Sequence, residues 1–340
     1  MKILGIESSC DETAAAMIKA RKDEMQVSAN VILSQIKIHA PYGGVVPEVA
    51  ARNHIKNILP VIAKALLSEK NLPDVIAVTK GPGLMSSLLI GVETAKTLSY
   101  VWRKPLVGVN HLAGHIYANW LGSGQHPDFP ALALIVSGGH TELVLMKDHL
   151  RFKIIGQTRD DAVGEAFDKV AKILNLGYPG GPAVAQQASA IADSLSPSEK
   201  INFPRPMIND NNFDFSFSGI KTSVLYQTQK DKSHQDKIPQ YCHAFQQAVV
   251  DVLIHKTIKA AQQYRVKSIL LAGGVSANTQ LRQELGQTIQ DKLPKLRYYV
   301  PQMHYTTDNA AMIATAGYFM ARAKKFTPWH KIKADCNLTL

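Results

Sequence analysis

The stretch NHLAGHIYANW (110–120) sets His111 and His115 four residues apart. On a helix that spacing puts both imidazoles on one face, within reach of a single metal ion. The zinc-protease motif H-E-x-x-H has the same spacing, with the Glu as general base. Here that position is Leu112, so a metal held by this pair would serve some other chemistry. Asp308, at the start of the helical stretch DNAAMIATAGYFMAR, is the candidate third ligand. Two imidazoles and one carboxylate with open positions suit Zn²⁺ or Fe²⁺ and leave room for a substrate oxygen. Each residue also has a plain structural reading, the histidines as ordinary helix residues and the Asp as an N-cap.

Four other segments could do chemistry. ESSCDE (7–12) crowds Glu7, Asp11 and Glu12 around two serines. Crowded carboxylates raise one another's pKa and can supply a base, or they form a polar turn. Cys10 reads as a small turn residue. In SGGHTE (137–142), Gly138 and Gly139 allow an anion or acyl group close to the backbone, and Ser137 can hydrogen-bond it. GGVSAN (273–278) does the same through Gly273 and Gly274, with Asn278 as a partner for a base or ribose. AFDK (166–169) carries Asp168 on a helical stretch. Plain turns and a solvated helix face are the alternatives, and Lys80 and Lys221 read equally as anion partners or surface charge.

The elements that must position these residues repeat a plan. KILGIE (2–7) and TAAAMIKA (13–20) read as a hairpin with a polar turn, as do LALIVSG (132–138) and LVLMK (143–147). VIAVT (75–79) breaks at Gly81-Pro82-Gly83 into a helix, and KSILLA (267–272) breaks at Gly273-Gly274 into another. A strand, a glycine-rich turn and a helix is the unit of a parallel sheet, and its turn can face an anion. One more strand follows in each half, LVGVN (106–110) and YYVPQ (298–302). The expected fold is α/β: two duplicated halves of the actin/Hsp70/sugar-kinase (ASKHA) kind facing an interdomain cleft, with His111 and Asp308 approaching from opposite sides. The expected boundaries are 1–108 for the first half, with the C-terminal helix returning to it, 109–330 for the second, and 331–340 for a basic tail.

Bulk properties agree with a globular protein. The 340 residues suit two domains, with 46% hydrophobic and 19% charged side chains. A net charge of +11 favours a polyanionic partner, and the basic residues are densest in ARAKKFTPWHKIK (321–333). Three scattered cysteines argue against a disulfide scaffold. The N-terminus lacks the apolar run of a signal peptide, and no stretch is long enough to cross a membrane, so the cytoplasm is the expected location.

Taken together, GIESSCDETA (5–14), PEVAARNH (47–54), TKGPGLMSSLLIG (79–91), NHLAGH (110–115), IVSGGHTEL (135–143), AFDKVAKILNLGYPGGP (166–182), FSFSGIKT (215–222), GGVSANTQLR (273–282) and TDNAAMIA (307–314) resemble the TsaD/Gcp/YgjD family in its bacterial form. The matches run in order along nearly the whole chain. The resemblance implies a tRNA N6-adenosine threonylcarbamoyltransferase: the threonylcarbamoyl group of threonylcarbamoyl-AMP passes to the adenosine beside the anticodon, in tRNAs reading codons that begin with A. It also implies that His111, His115 and Asp308 hold a metal, iron first and zinc as the alternative. Ile135, Val136, Ser137, Gly138, Gly139, Asp168, Gly181 and Asn278 would bind substrate, and Asp11 and Glu12 would be needed for activity. Implied partners are tRNA, a TsaB-like paralogue and a TsaE-like P-loop ATPase. Ser8 stands where Thr is commoner and Ser276 where Ala is common. The rival readings are a metalloprotease, which Leu112 disfavours, a small-molecule kinase on the same fold, and a non-catalytic nucleotide-binding subunit.

Overall fold

The structure is a computed structural model that describes residues 1–122, 124, 126–191 and 201–340. In chain order its first elements are β1 (Lys2–Glu7), β2 (Glu12–Arg21), β3 (Glu24–Ser34), α1 (Ile36–His39), α2 (Pro47–Leu66), β4 (Val75–Gly81), α3 (Met85–Trp102), β5 (Leu106–Asn110) and α4 (His111–Tyr117). There follow β6 (Ala131–Val136), β7 (Thr141–Asp148), β8 (Arg151–Gln157), α5 (Val163–Ile173), α6 (Gly180–Ser189), α7 (Ser218–Lys230), α8 (Ile238–Tyr264), β9 (Ser268–Ala272), α9 (Thr279–Lys292), β10 (Arg297–Tyr299) and α10 (Ala310–Arg322). The chain forms two compact units, one of Met1–Pro127, Asp148–Phe152 and Pro301–Leu340, the other of Asp128–Lys147 and Lys153–Val300.

In the first unit the sheet order is β3-β2-β1-β4-β5. β1 and β2 are antiparallel, with Glu7 opposite Ala14 at the turn, and β4 and β5 continue parallel. The central strands are near-continuous apolar runs because helices cover both faces. Leu4, Ile6, Ile58, Ile62, Ile76 and Val92 form the core beneath α2 and α3. On the other face α10 lies unusually close. A Cβ at Gly5 would stand 2.1 Å from the Ala310 carbonyl oxygen, and one at Gly317 would stand 2.4 Å from the Ala77 Cβ. This close seat fixes the residues just before α10, Asp308 among them.

The second unit repeats the plan: β8-β7-β6-β9-β10 corresponds strand for strand to β3-β2-β1-β4-β5. β6 pairs antiparallel with β7 and parallel with β9. Its core joins Leu132, Leu134 and Val136 of β6 to Phe167, Val170, Phe245, Val249 and Leu253 on α5 and α8.

The division of the chain differs from the expected boundaries. No break falls at 108/109, because β5 runs directly into α4, whose residues are all buried. Tyr117 stacks on Phe319 of α10 at 4.8 Å, which holds this stretch in the first unit. Pro301–Leu340 also belongs there, so His111, His115 and Asp308 all lie in one unit instead of reaching each other from opposite halves. The basic tail is not a separate segment. Thr327 N–H donates to the Leu106 carbonyl and Asp335 N–H to that of Lys80, both at 2.8 Å, with Ile332 buried between them. The tail thereby covers the edge strand β5. YYVPQ is strand only as far as Tyr299, and GVSA forms a short 3₁₀ turn before α9 begins at Thr279.

Candidate functional site

His111 begins α4 at the carboxyl end of β5. Asn110 caps that helix, its Oδ1 accepting from Leu112 N–H at 2.8 Å and Ala113 N–H at 3.2 Å. One helical turn brings His115 beside His111, with ring centroids 4.7 Å apart. The N-cap of α10 is Asn309, not Asp308: its Oδ1 accepts from Met312 N–H at 3.0 Å and its Nδ2 donates to the Thr307 carbonyl at 2.8 Å. The Asp308 carboxylate is therefore released from capping. Its Oδ1 lies 3.3 Å from His111 Nε2 and 3.2 Å from His115 Nε2, with 20% of the side chain still exposed.

These separations fit a metal site. Ligand atoms bound to one ion at about 2.0–2.2 Å stand roughly 3 Å apart, and the three residues offer atoms all within 4.8 Å of one another. Glu7, fully buried at the end of β1, supplies the supporting contact: its Oε2 lies 3.0 Å from His111 Nδ1. A carboxylate there holds the proton on Nδ1, so Nε2, beside Asp308, is the nitrogen that would give up its proton to bind a metal. Glu7 is itself fixed by the Thr79 hydroxyl at 2.7 Å and the Ser9 N–H at 2.6 Å. The three could hold one metal ion. Sequence reading singled out Glu7 only as one of a crowded group, because its contact with His111 spans 104 positions.

Electrostatics follow from this crowding. Burial works against charge on His111, but the Asp308 and Glu7 carboxylates outweigh it and hold its pKa well above the ordinary value. Partial burial works against charge on Asp308, yet His111 and His115 hold its carboxyl far below the usual range. Glu12, by contrast, is pushed up to about 9, first by burial and then by the like charges of Asp308 and Asp11. Asp11 sits beside it, 8% exposed. The Cys10 thiol is raised by burial and by Asp11, which disfavours its thiolate form. His54 of α2 braces the same turn, contacting Thr13 Oγ1 at 2.8 Å and the Cys10 carbonyl at 2.9 Å.

In the second unit residues 135–139 and Asn278 lie at or after the carboxyl ends of β6 and β9, while Asp168 and Gly181 lie on α5 and α6. Ile135 and Val136 are buried strand residues, and Ser137 opens the turn, its N–H bonded to the His140 carbonyl at 2.8 Å. Gly164 N–H donates to the Ser137 carbonyl, which brings the start of α5 to this turn. The glycines here fall into two kinds. A Cβ at Gly273 (φ +89°) would stand 2.4 Å from the Val136 carbonyl oxygen, and one at Gly180 would stand 2.5 Å from the Asp168 Cα. At Gly138, Gly139 and Gly181 a Cβ would meet nothing within 4 Å. Folding does not require glycine at those three; a ligand close to the backbone would.

Asp168 and Asn278 have structural work of their own. Asp168 Oδ1 accepts from Gly180 N–H at 2.7 Å at the start of α6. Burial raises its pKa, and the Gly180 and Gly181 amides partly offset this. Asn278 caps α9 through Leu281 N–H at 2.9 Å and donates to Gln246 at 2.7 Å. Lys221 is paired with Asp161 at 3.2 Å. Glu142, in the β6–β7 hairpin, is pushed up to about 7 by burial.

Two duplicated α/β units with this strand order make the chain an actin-like (ASKHA) protein. Two solved structures share the fold. HypF of T. kodakarensis superposes with a TM-score of 0.61 at 11% identity, covering 95% of this chain and 48% of that one. A full-length HypF in its phosphate- and nucleotide-bound form gives 0.65 at 14%, covering 96% and 47%. The chain thus spans about half the length of either. The family described as "TsaD: tRNA N6-adenosine threonylcarbamoyltransferase" matches residues 26–315. A protein of that name from Dehalococcoides mccartyi is 51% identical over 325 residues, 94% of this chain and 93% of its own length. Those of Anoxybacillus flavithermus and Staphylococcus carnosus are 49% and 48% identical, over 93% and 96% of this chain and 91% and 93% of their own lengths. The chain belongs to the tRNA N6-adenosine threonylcarbamoyltransferase family.

Proposed function

We propose that this chain transfers the threonylcarbamoyl group of threonylcarbamoyl-AMP to N6 of the adenosine 3′ of the anticodon, in tRNAs reading codons that begin with A. The observation that carries this reading is the convergence of His111 Nε2, His115 Nε2 and Asp308 Oδ1 at the strand ends of a chain half identical to transferases of that name. In the reaction N6 attacks the carbamoyl carbon and a C–N bond forms. The bond from that carbon to the phosphate oxygen breaks, AMP leaves with the electron pair, and N6 gives up one proton. N6 is a poor nucleophile because its lone pair is delocalised into the ring, so the carbon must be made electrophilic and held in line.

His111, His115 and Asp308 would hold one divalent ion, Fe²⁺ first and Zn²⁺ as the alternative. When bound, it supplies Lewis-acid polarisation of a threonylcarbamoyl oxygen. The chain's own residues do the rest. Glu7 keeps the His111 ring in the tautomer that faces Asp308. Asp11 or Glu12, side by side in the turn after β1, would accept the N6 proton. The turn after Ile135 and Val136, Ser137 through Gly139, lets backbone amides meet the leaving phosphate, since nothing within 4 Å fills the space a Cβ would take at Gly138 or Gly139. Asp168, Gly181 and Asn278 complete the nucleotide side.

The +11 charge suits tRNA as the partner. A TsaB-like paralogue would meet the outer face of α2 and α3, where Ile55, Leu59, Met85 and Leu89 are exposed. A TsaE-like P-loop ATPase completes the complex. No helix among the described residues is long and apolar enough to cross a membrane, and the cytoplasm, where tRNA is modified, is the proposed location. The test is transfer of labelled threonine from the adenylate to tRNA, with and without those partners. Modification and bound metal should both be lost in His111→Ala with His115→Ala. Full transfer by that double variant would overturn the metal's role.

A further inference from the structure

Where the tail begins to cover β5, it leaves a shallow depression of about 560 Å³ beside the end of α3, lined among others by Tyr100, Arg103, Lys104 and Trp329. The two rings are paired, with centroids 5.1 Å apart and planes 56° apart. Tyr100 is 64% exposed and Trp329 43%. Large rings left in water forgo the free energy that burial would give them, so two gathered at one depression mark a contact surface. Arg103 is set at its rim by the end of α3, which it terminates at φ +52°.

The surroundings are cationic. Lys331 and Lys333 are exposed on either side of the buried Ile332, where the tail runs from Leu106 of β5 to Lys80 of β4. Glu93 on α3 is paired with Lys96, and Asp23 with Arg322. Arg103, Lys104, Lys331 and Lys333 have no ion pair among the described residues. The cations thus follow the tail from the depression at the start of β5 toward the carboxyl ends of β4 and β5. Paired aromatic rings beside a track of uncompensated cations match single-stranded nucleic acid, which offers both a base to stack and phosphates to neutralise.

We propose that this depression binds an unstacked tRNA nucleotide other than the adenosine being modified. Its base would lie against Trp329 and Tyr100 and its phosphate between Arg103 and Lys104, with Lys331 and Lys333 following the adjoining backbone. This rests on tRNA being the substrate. The test measures tRNA affinity across a salt series for the full chain with its partners, using an unmodified transcript. Tyr100→Ala with Trp329→Ala should weaken binding roughly 10-fold and leave the salt slope unchanged, whereas Trp329→Phe should bind nearly as wild type. Arg103→Ala with Lys104→Ala should lower the salt slope by roughly 1 to 2. Wild-type affinity in both double variants, with melting temperatures unchanged, would overturn the proposal and leave the transferase reading standing. Loss of paralogue binding or of anionic-vesicle binding, with tRNA affinity intact, would also overturn it. A wild-type complex that neither binds nor modifies tRNA would instead sink the transferase reading itself.

Discussion

Glu7→Gln tests how the candidate metal centre is built. The native carboxylate accepts from Ser9 N–H on one oxygen and from Thr79 Oγ1 on the other, and that second oxygen also meets His111 Nδ1. An amide keeps the shape but turns one acceptor into a donor. If its NH₂ faces Ser9, two donors meet in a fully buried position. If it faces His111, the imidazole must accept at Nδ1, and its proton moves to Nε2, the atom proposed to bind metal. Both orientations cost a hydrogen bond to a charged group, about 1.5–3 kcal/mol of stability. The second also lowers metal affinity by roughly 10- to 100-fold, the usual effect of losing a partner behind a histidine ligand. A chelating-dye competition on purified protein reads the affinity directly, and a thermal melt reads the stability. Thr79→Val leaves the carboxylate in place and should have a smaller effect on affinity. If Glu7→Gln bound metal within twofold of wild type while remaining folded, the tautomer argument would be wrong and Glu7 would be a packing residue.

The glycines give a paired expectation. Gly5→Ala should fail to fold stably, because its Cβ would stand 2.1 Å from the Ala310 carbonyl, whereas Gly138→Ala should melt within about 0.5 kcal/mol of wild type while weakening adenylate binding. Asn309→Ala should cost roughly 0.5–2 kcal/mol for the lost cap and also weaken metal binding, since Asn309 fixes the backbone beside Asp308. His149 should make the first unit acid-sensitive. Burial lowers its pKa to about 4, and its ring stacks on Phe319 at 3.9 Å. Between that value and the unfolded value of 6.5 the unfolded chain binds the extra proton, so stability rises with pH across this window and is lost as pH falls from 6.5 toward 4. After discounting for partial exposure the effect is on the order of 1–2 kcal/mol. His149→Phe should flatten the melting temperature between those pH values; an unchanged slope would count against this assignment.

Local pattern carried much of the fold. The hairpins at 2–20 and 132–147 and the strand–glycine–helix units after 75 and 267 stand where alternation, apolar runs and glycines indicate. These features are legible because neighbouring residues make them. The spacing of His111 and His115 is of the same kind, since one helical turn alone brings the rings together.

Other features were decided by contacts distant in sequence. Asp308 belongs with the histidines because α10 returns to β1, and that return depends on Gly5 and Gly317 letting helix and sheet approach. Asn309 takes the capping role that was the plain structural reading of Asp308. The division of the chain, the docking of the tail through Ile332, and the meeting of Glu7 with His111 all join residues that no local periodicity links. The residue types at the centre and their order along the chain were set by sequence alone. Which carboxylate meets both histidines and which supports one from behind were decided by tertiary packing, because those roles depend on burial and on distances of about 3 Å across the fold.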